Sequence, residues 1–317
     1  MSRYSRQEQL PEVGASGQAR LRAARVLVVG CGGLGATVIP ALAGAGVGHL
    51  SLIDGDVIEE SNLHRQTLFR HADLGRPKAV VAAEAVLGLN PEVSVSAQVA
   101  YLDAASVAAS LQGVDLVVDA ADSFAATYTL SDACLSAGVP LISASVLGRS
   151  GYVGGFCGGA PSYRALFPDL PTQRQTCVEA GVMGPAVATL GALQAQMALS
   201  CLLGLEPSPL GQMMQVDLAA WRVSSFRFEG APEVTGHRFV SVDQITAQDR
   251  VIELRPEAEA PLPHPQSIRL GMEALTTLPI TQARTVLTCR SGLRAWAAAD
   301  QLVALGHSDL VLWAAGE

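Results

Sequence analysis

The run Arg25-Val26-Leu27-Val28-Val29 stops at Gly30-Cys31-Gly32-Gly33-Leu34-Gly35, and an Ala-rich stretch over 34–46 follows at once. Unbroken branched apolar residues suit a strand buried on both faces, and glycines let the backbone turn tightly into a helix. Residues 49–54 read as a second strand that ends in the acid Asp54. Strand, glycine turn, helix, strand is the start of a doubly wound α/β unit. The grammar continues with a helix over 79–89, strand-like residues 92–102, a buried strand 114–119 ending in Asp119, a helix over 131–137 and a strand over 139–145. Residues 184–204 form an apolar helix without a charged residue, expected in a core or an interface.

The stretch 211–229 alternates enough for a hairpin or edge strands, and 230–236, Gly-Ala-Pro-Glu-Val-Thr-Gly, is the linker candidate. Beyond it come a strand over 250–254, a Pro-rich loop over 256–265, a strand over 285–288, a helix over 293–305 and a final strand over 309–313. The expected domains are 1–232 and 233–317, and a chain of 317 residues with 49% apolar content can build two cores. A formal net charge of −8 argues against general nucleic-acid binding, which rests on neutralising phosphates. No apolar run is read as reaching the roughly 20 residues of a bilayer span, so no membrane is expected. The N-terminus has no apolar signal region. Six cysteines without a CxxC pair suggest reduced thiols in a cytoplasmic protein.

The glycine loop alone favours a dehydrogenase, since NAD(P), FAD and ATP proteins share it, and Asp54 suits ribose hydroxyls in all of them. The tie breaks in Asp54-Gly55-Asp56 through Ser61-Asn62-Leu63-His64-Arg65-Gln66 and Gly75-Arg76-Pro77-Lys78. Singly, Arg65 and Lys78 read as solvated surface charges. Within one dense motif they suit a triphosphate whose β- and γ-phosphate charge must be stabilised as pyrophosphate leaves.

With Arg3-Tyr4-Ser5-Arg6-Gln7 and Ala121-Asp122-Ser123, these segments resemble the MoeB/ThiF/HesA adenylating enzymes, relatives of the ubiquitin-activating enzymes, over residues 3 to about 230. The resemblance implies a Rossmann-like sheet in which Gly30, Gly32, Gly33 and Gly35 cradle ATP and Asp54, with Asp56 beside it, holds the ribose. It further implies that Asn62, Arg65, Gln66 and Lys78 contact phosphates, that Arg6 reaches the partner's ATP in a homodimer, and that Asp122 holds Mg²⁺. The residue-level alternative for Asp122 is a helix N-cap. The implied reaction joins a carrier protein's C-terminal glycine carboxylate to AMP, so that the carboxylate gains a leaving group.

The chain departs from the family in places. Ser162 and Ala165 stand where many relatives have the first of two zinc-binding cysteine pairs, so no zinc is expected. An asparagine and an arginine that often follow the magnesium acid are also missing from 122–127. Cys177 matches the cysteine that can bond covalently to the carrier, against the alternative of an idle loop thiol. The other cysteines of this part read as packing residues.

Near the C-terminus, Cys289-Arg290-Ser291-Gly292-Leu293-Arg294 lies between a strand and a helix. Free backbone N–H groups, the helix dipole, Arg290 and Arg294 would all favour thiolate. A buried strand-end cysteine with two solvated arginines is the plain alternative. The loop resembles that of rhodanese-like sulfurtransferases, and Val251-Ile252-Glu253-Leu254-Arg255 resembles their "V-I-D-V-R" strand. The phosphatase Cys-x₅-Arg loop is the nearest rival. The whole resembles a MoeZ-like arrangement: ATP- and Mg²⁺-dependent adenylation of a ubiquitin-like sulfur carrier (MoaD/ThiS-like), with sulfur from a cysteine desulfurase or thiosulfate carried as persulfide on Cys289. The rivals are a degenerate nucleotide- and carrier-binding scaffold and an NAD-dependent oxidoreductase.

Overall fold

The computed structural model describes residues 3–170 and 181–316. Helices α1 (Ser5–Glu8) and α2 (Gly14–Ala23) precede β1 (Arg25–Val29), α3 (Gly35–Ala45), β2 (His49–Ile53), α4 (Lys78–Leu89), β3 (Ser94–Gln98), α5 (Val107–Ser110), β4 (Leu116–Asp119), α6 (Phe124–Ala137) and β5 (Pro140–Leu147). Then come β6 (Ser150–Cys157), α7 (Tyr163–Leu166), α8 (Gly184–Leu203), β7 (Gln212–Asp217) and β8 (Arg222–Arg227). These strands form one sheet in the order β3-β2-β1-β4-β5-β6-β7-β8. It is parallel through β5 and antiparallel beyond. The α/β expectation holds, and the strand order reverses between β1 and β4, where such sheets open a ligand crevice at their carboxyl ends.

β6 is absent from the sequence reading because Gly151, Gly154 and Gly155 dilute its apolar pattern. The expectation about membrane-spanning length also needs correction. By length and composition α8 could cross a bilayer. Here Ala186, Val187, Leu190, Ala195 and Ala198 pack it into the main core. Its buried Gln194 donates through Nε2 to the carbonyls of Asp119 at 2.6 Å and Ile142 at 3.1 Å. The apolar surface thus covers the sheet, and the amide N–H groups of Gln194 are paired there while its Oε1 is left without a partner.

The second sheet is all parallel and runs β11 (Ser267–Arg269), β10 (Arg250–Glu253), β12 (Thr285–Cys289), β13 (Leu310–Ala314), β9 (Arg238–Phe239). Helix α9 (Leu293–Ala304) buries Ala295, Trp296, Ala298, Ala299 and Leu302, one face at helical spacing.

Where the resemblance led to a cysteine frame, Ser162 instead caps α7, accepting the Ala165 N–H at 3.2 Å. Ser162 is 1% exposed, and its N–H and Oγ donate to the two Glu233 carboxylate oxygens at 2.7 and 2.6 Å. Arg164, also buried, grips Asp132 through Nε at 2.6 Å and Nη2 at 2.9 Å, and reaches the His237 carbonyl at 2.7 Å. These bonds fasten the first sheet's loop to the segment leading into β9. Glu233→Ala leaves a buried N–H and hydroxyl unpaired and is expected to cost about 1–2 kcal/mol. Denaturant melts check this, and an unchanged midpoint would mean that the Ser162 contact contributes nothing.

Candidate functional site

The turn between β1 and α3 closes on itself. Gly30 has φ +94°, and a side chain there would lie 2.5 Å from the Ala120 carbonyl oxygen; one at Gly35 would collide with the Gly30 carbonyl. A side chain at Gly33 would meet Val187 of α8 at 2.7 Å, whereas at Gly32 the neighbour is Gln66 Nε2 at 3.5 Å, an ordinary contact. Gly30, Gly33 and Gly35 therefore serve the packing of the turn, and Gly32 leaves space in front of it.

Asp54 anchors this loop. Its Oδ2 accepts the Cys31 N–H at 2.7 Å and its Oδ1 the Asp56 N–H at 2.8 Å, while burial holds its carboxyl above the ordinary range. Lys78, the first residue of α4, is 5% exposed and donates to Asp56 Oδ2 at 2.7 Å. Asp56 and Asp54 thereby link it through hydrogen bonds to Cys31 in the glycine loop. Burial raises the Asp56 carboxyl, but the bonds from Lys78 and from the Tyr101 hydroxyl, at 2.6 Å, outweigh it and leave it below the usual range.

Gln66 is 3% exposed, and its Oε1 has no partner. Asn62 is buried and donates to Ser61 Oγ at 3.2 Å. The Arg65 stem lies 3.9 Å from where a Gly33 side chain would begin, and its guanidinium turns back to the Ser61 carbonyl at 3.0 Å. Gln66 and the Arg65 stem thus lie at the glycine loop. Arg6 does not join them in its own chain. It lies exposed on α1 beside Gln9, and its neighbour Gln7 docks on Ala45 at the far end of α3. That is about 16 Å along the helix from the glycine loop.

Asp122 is exposed ahead of α6. The N-cap alternative is corrected: Ser123 Oγ accepts the Ala126 N–H at 3.4 Å. Asp119, which the sequence placed at a strand end without a role in the site, is fully buried at the end of β4. It accepts hydroxyls from Thr127 and Ser143, both at 2.8 Å, and the Ala121 N–H at 3.2 Å. Burial, against these bonds, pushes its carboxyl up to about 6. A folded value above the unfolded one means stability fully present below about pH 4 and lost as pH rises through about 6. Asp119→Asn removes that dependence, so the variant should gain on the wild type by about 2–3 kcal/mol between pH 4 and 8. Parallel melts across that range would reject the idea if the difference stayed constant.

Cys177 lies outside the described residues. Cys289 ends β12, 2% exposed, and Arg290, Ser291 and Gly292 turn the chain into α9. Gly292 has φ +84°, and a side chain there would meet the Phe239 ring at 2.6 Å. Arg290 follows Cys289 directly, and Arg294 lies in the first turn of α9. Arg290 is exposed, and Arg294 Nη2 donates to Glu259 Oε1 at 2.8 Å. A further cation whose charge acts with Cys289 is the buried Arg255. Glu253 holds it through three bonds, from its N–H at 2.7 Å, Nε at 3.1 Å and Nη2 at 2.9 Å, and its Nη1 reaches the Gly316 carbonyl at 2.8 Å. The cause is register: Glu253 pairs with Thr288, so the end of β10 lies beside the end of β12. The signal for Arg255 was the strand-like run Val251-Ile252-Glu253-Leu254-Arg255 itself.

The ThiF family profile matches residues 4–235. The chain belongs to the ThiF family. A family member named adenylyltransferase and sulfurtransferase UBA4, from Yarrowia lipolytica, is 45% identical over 207 residues, covering 64% of this chain and 52% of that protein. This ThiF-family chain thus spans about half of that relative's length. The Mycobacterium tuberculosis protein named "Probable adenylyltransferase/sulfurtransferase MoeZ" is 31% identical over 357 aligned positions, covering 98% of this chain and 90% of that protein. That match therefore takes in the second sheet. Among solved structures, E. coli MccB with ATP has a TM-score of 0.62 at 27% identity, over 73% of this chain and 72% of that chain.

Proposed function

We propose that this ThiF-family protein adenylates the C-terminal glycine carboxylate of a ubiquitin-like sulfur carrier and passes sulfur to it through Cys289. The observation that carries the reading is Lys78, a buried lysine held by Asp56 against the glycine loop. NAD chemistry has no use for a cation there, whereas a triphosphate does. The unpartnered Oε1 of Gln66, whose Nε2 lies against Gly32, fits a polar ligand at the same place.

A carrier carboxylate oxygen attacks the α-phosphorus, the α–β bridging bond breaks, and pyrophosphate leaves. The protein's part is positioning and charge stabilisation: the loop N–H groups and Lys78 meet the phosphates, Arg65 lies at the loop's edge, and Asp54 and Asp56 order the ribose side. Asp122 would hold Mg²⁺, which neutralises phosphate charge when bound. In a homodimer, Arg6 of one protomer would complete the partner's site. In the rhodanese-like second unit, a donor such as a cysteine desulfurase or thiosulfate loads Cys289 with sulfane sulfur. That sulfur attacks the acyl carbon, AMP leaves, and a second thiol cleaves the S–S bond to free the thiocarboxylate. A cytoplasmic setting suits such reduced thiols.

The names of UBA4 and MoeZ, which pair the two activities, and the ATP complex of MccB support this reading. Incubation with ATP, thiosulfate and candidate carriers, followed by intact carrier masses, tests it. Adenylate or thiocarboxylate masses are expected. Nucleotide and carrier binding with neither mass would instead indicate a scaffold.

A further inference from the structure

We propose that Tyr101 is the stacking platform for the purine ring of the bound nucleotide. The inference rests on the ATP reading above and extends it to a residue outside the family-like motifs. The strand order β3-β2-β1 lays out the site: the glycine turn follows β1, and Asp54 follows β2. With phosphates at the first and ribose at the second, the base extends toward the end of β3. Tyr101 stands there, just past β3, and Asp54 N–H bonds to the Gln98 carbonyl that ends that strand at 3.2 Å.

A tyrosine on the surface is ordinary by itself. Tyr101 is distinguished by being 74% exposed and yet fixed in place. Its hydroxyl donates to Asp56 Oδ1 at 2.6 Å. Its ring lies over Gly55, where a side chain would sit 2.8–2.9 Å from Cε2, Cδ2 and Cζ. An aromatic face is thereby held beside the ribose acid without burying itself, which is what a base needs for stacking. Asp56 holds Tyr101 with one oxygen and Lys78 with the other, so one carboxylate orients the groups that meet opposite ends of the nucleotide.

Isothermal titration of the full chain with Mg-ATP and with inorganic tripolyphosphate, which lacks base and ribose, tests the proposal. Tyr101→Ala is expected to weaken Mg-ATP binding roughly tenfold and to leave tripolyphosphate binding unchanged. Tyr101→Phe, which keeps the ring, should bind Mg-ATP within about threefold of the wild type, since one exposed hydrogen bond is worth little. Equal Mg-ATP affinity in Tyr101→Ala and wild type overturns the platform, as does an equal loss of tripolyphosphate or an equal loss in the Phe variant. A wild type that binds no Mg-ATP overturns the ATP reading as well, so the two failures are distinct.

Discussion

Lys78→Ala is expected to lower carrier-dependent ATP–pyrophosphate exchange about 10²–10³-fold, the range seen when one preorganised charge-stabilising donor is lost. Lys78 is buried at the start of α4, so its ammonium sits in a low-dielectric position against the glycine loop and is aimed before substrate arrives. Its resting partner, Asp56, is about half exposed on its side chain. Truncation therefore strands no deeply buried charge and should cost stability only about 1 kcal/mol. Lys78→Arg should recover little, since a planar guanidinium does not fit a slot shaped for one ammonium. Exchange rates and thermal melts on the same preparations separate the effects. Exchange within tenfold of the wild type in Lys78→Ala would reduce this residue to a structural partner of Asp56.

Cys289→Ser should abolish sulfur transfer, by at least roughly 10³-fold, while carrier adenylate forms within about twofold of the wild-type rate. A hydroxyl cannot carry sulfane sulfur, and thiolate is the reactive form of the group it replaces. Serine is close in size, so the turn into α9 should persist. Thiosulfate:cyanide transfer and carrier masses together decide: the variant should accumulate adenylate mass without thiocarboxylate. A thiocarboxylate made at the wild-type rate would mean that sulfur bypasses Cys289. Cys289 is 2% exposed, so the folded chain shields its thiol. Alkylation of the folded protein should accordingly be much slower at this thiol than in denaturant.

Much of the candidate nucleotide site was legible in advance, and for a local reason. The glycine turn, Asp54, Asp56, Asn62, Gln66 and Lys78 lie within a short stretch of chain, where strand and helix periodicity position them. Outside it the reading weakened. Ser123 took the cap given to Asp122 because its own hydroxyl reaches the helix N–H groups. Asp119 was noted as the acid at the end of a strand, but its burial among Thr127, Ser143 and α8 is a matter of packing. In the second sheet, proximity in sequence suggested Arg290 and Arg294, and strand pairing adds the buried Arg255 beside the end of β12.

The sequence by itself determined the strand–glycine–helix entry, the acids and cations of the nucleotide motif, the missing cysteine pair and a thiol at a strand-to-helix turn. Those follow from neighbours in the chain, where period and turn chemistry act. The tertiary structure alone decided that Tyr101 rests on Asp56, 45 residues away, and that Glu233 fastens Ser162 across 71. Such pairings depend on strand order and on which loops the sheet brings together. That geometry arises from burying both faces of a twisted sheet at once, and no local pattern encodes it.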